Sequence, residues 1–229
     1  MTKPALAAAA AALALAACAP AAKPPATPAA PAPQITAPAG EYRTDPMHSS
    51  LNFRVSHMGF SHYTARFLKF DATLNFDPKN IAGMTLKASI DPKSLQTNYP
   101  EPQKLDFDKQ IYGPEFLDAG KYPTMTYVST KVVQTGPDTA DVTGDFTMHG
   151  VTRPVVLHVR YNGGYPGMAL DPGGRIGFSA TGTLKRSEFG IGFGIPAPGT
   201  NMGVSDEVEV IIETEMKQAQ PPAAAAAAG

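Results

Sequence analysis

The five histidines are the first candidates for chemistry, because histidine binds metals and transfers protons near neutral pH. None is two or four positions from another histidine or a cysteine, the spacing that puts two ligands on one face of a strand or helix. The closest pair, His57 and His62, flanks a turn containing glycine and has no clustered carboxylates. We predict no metal site. His57 is expected near one end of a strand, and His149, next to Gly150, in a turn.

Nucleophilic catalysis would need a serine or cysteine beside a base and an orienting acid. The only cysteine is Cys18, which lies in the N-terminal segment, and no Gly-x-Ser-x-Gly sequence occurs. The run from Gly190 to Gly194 resembles a phosphate-binding glycine loop, but Pro196 and Pro198 exclude the helix that should follow it. We predict a flexible loop there and no catalytic residues.

Three arginines are candidates for contact with the polar head of a ligand, because a guanidinium group matches phosphate or quinone oxygens in geometry. They are Arg54, Arg66 and Arg186. The competing interpretation is that each is a solvated residue on the outer face of a strand, and the sequence leaves both open.

The first residues are typical of an export signal. Residues 1–17 contain one basic residue, Lys3, followed by an Ala/Leu run that is too short to span a bilayer. They end in Leu15-Ala16-Ala17 before Cys18, which resembles the bacterial lipobox. We expect residues 1–17 to be a lipoprotein signal peptide and Cys18 to carry a lipid that anchors the protein in a membrane.

Two segments rich in Ala and Pro flank the central part of the chain. Residues 18–40 contain nothing large enough for a core and are predicted to be an extended tether, and residues 219–229 a disordered tail. Residues 41–218 are then one domain. The formal net charge of −1 is too small to predict nucleic acid as a partner.

The domain alternates apolar and polar residues with a period of two, which is typical of β-strands with one wet and one dry face. The clearest strand has Val208, Val210 and Ile212 on one face and glutamates on the other. Including it, eight strands are predicted, with the dry faces Leu51, Phe53, Val55, His57; Leu68, Phe70, Ala72, Leu74, Phe76; Met84, Leu86, Ala88, Ile90; Met125, Tyr127; Val142, Phe146, Met148; Val155, Leu157, Val159, Tyr161; Ile176, Phe178, Ala180, Leu184; and Val208, Val210, Ile212, Thr214, Met216.

Such strands can close into a barrel or form a sandwich, and we predict an all-β, eight-stranded antiparallel barrel because closure removes exposed edges. Residues 101–116 are expected to carry a short helix between strands three and four. An eight-stranded barrel either fills with side chains or holds one small ligand. The residues predicted to line such a ligand site are Phe53, Val55, His57, Phe60, Phe67, Phe70, Leu74, Phe76, Met125, Tyr127, Phe146, Met148, Phe178 and Val210.

Several segments together resemble the YceI-like family of lipid- and polyisoprenoid-binding proteins. The resemblance extends from about Tyr42 to Met216 and depends on the order and spacing of the segments. These are Asp45-Pro46-Met47-His48-Ser49, residues 53–61, Phe116-Leu117-Asp118 before Tyr122-Pro123-Thr124, residues 144–154, Lys185-Arg186-Ser187-Glu188-Phe189-Gly190, and residues 204–208.

The resemblance implies a lipocalin-like barrel that holds a long isoprenoid chain in its lumen, in exported bacterial proteins. This chain departs from the family pattern at three positions. Ala65 and Ala72 stand where glycine is frequent, and Gln110 where histidine is common. An added methyl group alters the space available to a ligand, so the departures affect the shape of the ligand site rather than the fold.

The leading hypothesis is a non-enzymatic carrier of a polyisoprenoid, a quinone-like molecule or another long apolar lipid, without a resident cofactor. The expected location is the periplasm or the outer membrane. One alternative is a filled barrel that acts as an interaction module of the cell envelope through loops such as residues 161–174. The other is a small-molecule enzyme, which would require polar groups that converge in the lumen.

Overall fold

The computed structural model describes residues 36–219. The predicted signal peptide, Cys18, most of the predicted tether and all but the first residue of the predicted tail lie outside these residues. Within them, no helix is both long and apolar enough to cross a bilayer.

The described chain forms ten β-strands, one short α-helix and three single turns of 3₁₀ helix. The strands are β1 Gly40–His57, β2 Ser61–Phe67, β3 Phe70–Phe76, β4 Thr85–Ile90, β5 Leu95–Gln96, β6 Met125–Gln134, β7 Thr139–Met148, β8 Val151–Tyr165, β9 Arg175–Lys185 and β10 Val204–Gln218. The helix α1 is Phe107–Ile111, and the 3₁₀ turns are Ile81–Gly83, Pro92–Ser94 and Arg186–Phe189.

Eight of these strands close into a barrel. The hydrogen-bonded order is β10-β9-β8-β7-β6-β4-β3-β1, and β1 pairs again with β10, so that the first and last strands meet. Every pairing is antiparallel, from Tyr42 opposite Gln218 to His57 opposite Val204 at the closing seam. The predicted eight-stranded antiparallel barrel is therefore confirmed, and the sandwich is excluded.

The periodicity did not predict β2 and β5, which extend the sheet beyond the eight barrel strands. The first residues of β1 pair with β3, and the second half of β1 pairs with β2. The short strand β5 in turn pairs with β2. The predicted second strand, beginning at Leu68, is wrong at its start because Leu68 lies exposed between β2 and β3. Ser61 and Ala65, on the inner face of β2, are too small or polar to give an apolar period.

The barrel has two different ends. The upper end carries the β1–β2 turn, the segment with α1, the β7–β8 turn and the β9–β10 connection. The lower end carries the β3–β4, β6–β7 and β8–β9 connections, and the described chain both begins and ends there. Aromatic side chains fill part of the lower end: the ring of Phe76 contacts Tyr42 at 5.6 Å and Tyr161 at 6.1 Å between centroids.

The predicted helix is present as α1 and lies at the upper end. Asp106 caps it by accepting a hydrogen bond from the Lys109 backbone N–H at 3.0 Å. Asp108 accepts from the backbone N–H of Thr97 at 2.8 Å and from its hydroxyl group, which ties the helix to the end of β5. The ring of Phe107 contacts Tyr99 at 5.5 Å. These contacts hold α1 beside the barrel opening.

Candidate ligand cavity

The inward-facing side chains of the barrel enclose an elongated cavity of about 830 Å³. This volume lies in the range of sites that hold small organic ligands. Apolar side chains dominate the wall, and the sequence contains no tryptophan that could fill the space. The lining residues extend from Phe193 at the upper end to Met84 at the lower end, so the cavity follows the barrel axis.

Thirteen of the fourteen residues predicted to line a ligand site do line this cavity. They alternate along the strands because side chains of a β-strand point to opposite faces. Whether they touch a ligand stays a prediction. These residues are Phe53, Val55, His57, Phe67, Phe70, Leu74, Phe76, Met125, Tyr127, Phe146, Met148, Phe178 and Val210.

Phe60 is the exception, and its predicted place in the cavity is wrong. Its backbone N–H donates to the His57 carbonyl oxygen at 3.0 Å, closing a tight turn in which Met58 and Gly59 have positive φ. The turn directs Phe60 away from the barrel, and the residue is 86% exposed. The apolar type of Phe60 predicted burial, but turn geometry decided its direction.

The burial of the wall residues shows where the barrel is filled and where it is hollow. Met125 and Tyr127 are buried by neighbouring side chains, whereas Phe53, Val55 and Phe178 are only half-buried although they point inward. Inward apolar groups that retain accessible surface face empty space rather than packed neighbours. The part of the cavity between β1 and β9 is therefore open to a guest molecule.

The cavity reaches the surface at the upper end, in an opening called here the upper mouth. His57, Ser61, Tyr63, Gln110 and Phe193 form it, and each both lines the cavity and is exposed. At the lower end, the exposed residues that line the cavity include Gln134 and Pro137.

Arg186 is neither a solvated outer residue nor free to meet a ligand. It is 6% exposed and lines the cavity below the upper mouth. Its guanidinium group donates to the carbonyl oxygens of Ser205 at 2.9 Å, Val204 at 2.8 Å and Phe193 at 2.7 Å. Burial lowers the pKa of Arg186, and the field of Asp206 opposes that shift. The side chain holds the β9–β10 connection against the barrel.

The other two candidate arginines lie outside the cavity. Arg54 forms a two-point ion pair with Glu209, with Nη2 donating to Oε1 at 3.0 Å across the β1–β10 seam. Arg66 donates to the side chain of Gln96 on β5. For these two residues the interpretation as outer-face residues is confirmed.

The histidines do not form a common centre. His57 lies at the upper mouth, while His149 adopts a positive φ in the β7–β8 turn, as predicted. The Nδ1 atom of His149 is 2.9 Å from the Phe189 carbonyl oxygen, and His158 pairs with Asp141.

Residues 190–194 form a loop without a following helix, as the prolines predicted.

A cluster of charged groups that sequence spacing did not reveal lies near the lower end. The side-chain nitrogen and oxygen atoms of Asp45, His48 and Glu215 that could bind a metal ion lie within 4.8 Å of one another. Arg175 donates to Asp45 at 2.8 Å and to Glu215 at 3.1 Å, so the buried carboxylate of Asp45 already has a cationic partner. Hydrogen bonds from His48 and Arg175 hold the pKa of Asp45 well below its usual range. The cluster is an ion-pair network that joins β1, β9 and β10.

The fold and the cavity define a closed antiparallel barrel that encloses an apolar, elongated binding space. The chain belongs to the YceI-like domain family, whose profile matches residues 42–216. A UPF0312 protein of Vibrio cholerae serotype O1 is 38% identical over 170 residues, covering 73% of this chain and 81% of the relative. A UPF0312 protein of Pseudomonas savastanoi pv. phaseolicola is 40% identical over 159 residues, covering 68% and 78%.

Solved structures share the fold. BcnA of Burkholderia cenocepacia superposes with a TM-score of 0.62 at 24% identity, covering 75% of this chain and 98% of BcnA. The YceI protein of Campylobacter jejuni gives 0.58 at 26% identity, covering 72% and 90%. A polyisoprenoid binding domain from Saccharophagus degradans gives 0.52 at 15% identity, covering 80% and 100%.

Proposed function

We propose that this protein binds and carries a lipid with a long apolar chain, of the isoprenoid type, inside its barrel and without chemical conversion. The cavity of about 830 Å³ with its apolar wall is the observation that carries the proposal. The neighbour from Saccharophagus degradans, described as a polyisoprenoid binding domain, supports the same class of ligand.

An apolar wall is sufficient to retain such a ligand. Removing apolar surface from water contributes about 25 cal/mol per Å², before the cost of ordering the chain is subtracted. The methionines of the wall, Met84, Met125, Met148 and Met216, have adaptable side chains that follow the shape of a flexible guest. Binding therefore needs few directed contacts along the chain.

The two alternatives fit the cavity less well. A filled barrel would leave no space of this size between the strands. An enzyme would need at least two catalytic groups, such as an acid, a base or a nucleophile, close to one another in the cavity. Among the described lining residues, the carboxylate, imidazole and basic groups are Asp138, His57 and Arg186; Asp138 pairs with Arg160 and Arg186 with backbone carbonyls. We propose a carrier rather than an enzyme.

The first test is native mass spectrometry of the protein purified from bacterial envelopes, followed by organic extraction and reloading with a C20 prenyl alcohol. We expect a bound apolar molecule and restored binding after delipidation. Ala88→Phe, which adds a ring to the cavity wall, should weaken binding at least about tenfold while the fold is kept. Ser89→Phe places the same ring on the outer face as a control. Failure of delipidated protein to bind any prenyl lipid would refute the proposal.

We further propose export and lipidation at Cys18, which lies outside the described residues. The support is the Leu15-Ala16-Ala17-Cys18 sequence after a short apolar run. Mass spectrometry of the N-terminal peptide should show a cysteine with attached acyl chains. Cys18→Ser should release the protein from the membrane fraction, and an unmodified Met1 in the mature protein would contradict the proposal.

A further inference from the structure

Among residues 36–219, the lower end of the cavity is closed on one side. On the side of β1, β8 and β9, the cavity stops at a wall formed by Phe76, Tyr161 and Met216. Behind this wall, Tyr42 and Ile176 are 0% and 1% exposed and do not line the cavity. The rings of Phe76 and Tyr161 stack with 6.1 Å between their centroids. The wall is therefore packed, and a guest chain cannot pass through it.

The opposite side of the lower end has no such packed layer among the described residues. There the cavity lining continues to Gln134 and Pro137 at the β6–β7 turn, and both are exposed. Ile81, in the β3–β4 connection, and Ala140, at the start of β7, also line the cavity and are half-buried. The cavity reaches the surface between these four residues, and we call this place the lower opening.

Strand pairing explains the position of the lower opening. β4 pairs with β6 over four residue pairs, which end at Lys87 opposite Val128. The next residue of β6, Ser129, accepts the Leu86 backbone N–H with its hydroxyl oxygen at 2.8 Å. β6 then continues to Gln134 beyond the last pair with β4, beside the β3–β4 connection. The wall of the barrel thus ends at a loop and a turn here, rather than at two paired strands.

The barrel is shorter than a long prenyl chain. A strand tilted by about 40° advances about 2.5 Å per residue along the barrel axis, so residues 44–57 of β1 span about 33 Å. At about 1.2 Å per chain bond, four extended isoprene units are about 19 Å long and nine units about 43 Å. The shorter chain fits inside the barrel, whereas about 10 Å of the longer one must fold back or leave.

We infer that a guest chain longer than the barrel leaves it through the lower opening, so that the cavity holds part of the chain and does not limit its length. The inference rests on the proposed function and specifies how long chains are bound. A chain that folded back would need extra space beside Phe76 and Tyr161, which are buried by their neighbours. A chain end that passes the lower opening stays in water, so it leaves the free energy of apolar burial inside the barrel unchanged.

The test compares geranylgeraniol and solanesol, prenyl alcohols of four and nine isoprene units, in native mass spectrometry of delipidated protein. Both are supplied from the same detergent micelles, and the ratio of the two complexes is corrected for the partition of each lipid into the micelles. We expect solanesol to bind at least about one-third as tightly as geranylgeraniol. Weaker binding of solanesol would overturn the inference and leave the proposed function intact. If neither lipid binds, the proposed function fails, and this inference fails with it.

A blocking variant tests the route of the chain. Ala140→Phe places a ring in the lower opening, and it should weaken solanesol binding about tenfold relative to geranylgeraniol. Val133→Phe places a ring on the outer face of β6, where Val133 is 42% exposed, and should leave the ratio unchanged. Gln134→Phe, at an exposed position of the opening, repeats the test should Ala140→Phe fail to fold. If the folded blocking variants give the same ratio as Val133→Phe, the inference is overturned.

A tryptophan at the lower opening reports whether the chain passes it. The sequence contains no tryptophan, so Pro137→Trp introduces a single indole group there. Bound solanesol should shift its emission to shorter wavelength, because the chain covers the ring. Leu170→Trp, in the β8–β9 connection where Leu170 is 96% exposed, is the control and should show no shift. Solanesol that binds without changing the emission of the Pro137→Trp variant would indicate a chain folded inside the barrel and overturn the inference.

Discussion

The ring of Tyr127 occupies the space that a side chain at Gly144 would need. An ideal Cβ atom on Gly144 would lie 2.6 Å from Cε1 of Tyr127 and 2.7 Å from its hydroxyl oxygen. The hydroxyl group donates to the Val142 carbonyl oxygen at 2.8 Å, which prevents the ring from moving aside. Glycine at position 144 therefore allows a large aromatic group to lie against the inner face of β7.

Gly144→Ala should destabilise the barrel by about 2 kcal/mol, in the range for overpacked interiors. Thermal unfolding should show a decrease in Tm of about 4–8 °C for a domain of this size. In the Tyr127→Ala background the same substitution should cost much less, because the clash is gone. Additive effects in this double-mutant cycle would show that the two residues are not coupled.

Asp45→Asn should lower the free energy of unfolding by about 2 kcal/mol, because Arg175 loses its buried ionic partner and keeps the more exposed Asp171 and Glu215. Urea unfolding at pH 7 measures this loss. Glu41→Gln removes an exposed partner of Arg43 and should change stability by less than about 0.5 kcal/mol.

The same carboxylate should make the barrel sensitive to acid. The pKa of Asp45 is lower in the folded state than the unfolded value of about 3.9. The folded state thus favours the ionised group, and its stabilisation is complete above about pH 5 and lost as the pH falls through the unfolded and then the folded pKa. Asp45→Asn should flatten the acid limb of the stability curve. An unchanged slope below pH 5 would contradict this role.

Arg186→Met should loosen the β9–β10 connection, because the carbonyl groups of Val204, Ser205 and Phe193 lose their donor. Hydrogen exchange over residues 191–204 should become faster, and stability should fall by about 3 kcal/mol. Lys185→Met removes a neighbouring exposed charge and should do neither. Unchanged exchange in Arg186→Met would contradict the assigned role.

Phe60 and Met202 should speed the transfer of lipid from membranes to the upper mouth. They are 86% and 73% exposed, and their loops are joined by a hydrogen bond from the Met58 N–H to the Gly203 carbonyl oxygen at 2.8 Å. The double variant Phe60→Ser, Met202→Ser should take up lipid from labelled vesicles about five- to tenfold more slowly, because it loses about 1 kcal/mol of apolar contact with the membrane. Its affinity for dispersed ligand should be unchanged. Leu170→Ser, which is 96% exposed at the lower end, is the matched control. A similar slowing in both would contradict a role for the mouth.

The sequence predicted the strands best where one face is uniformly apolar. β10 and β4 are examples. In both, apolar and polar residues alternate along the strand, and this alternation can be recognised without knowing which strands pair with it. β2 was not predicted because Ser61 and Ala65 face inward without being large and apolar. Sequence periodicity also missed the burial of Arg186. A charged residue is normally exposed, and Arg186 is buried because the carbonyl groups of Phe193, Val204 and Ser205 accept its hydrogen bonds.

Local periodicity in the sequence predicted the eight strands that close the barrel, the short helix and thirteen of the residues that line the cavity, but not β2 or β5. The tertiary structure decided the closure of β1 on β10, the hollow centre, the direction of Phe60 and the gathering of Asp45, Glu215 and Arg175. Except for the direction of Phe60, which the tight turn after His57 sets, those features depend on pairings between residues far apart in the chain. The alternation of apolar residues along one strand does not specify which strands pair with it. It also does not specify the distance between opposite walls of the barrel.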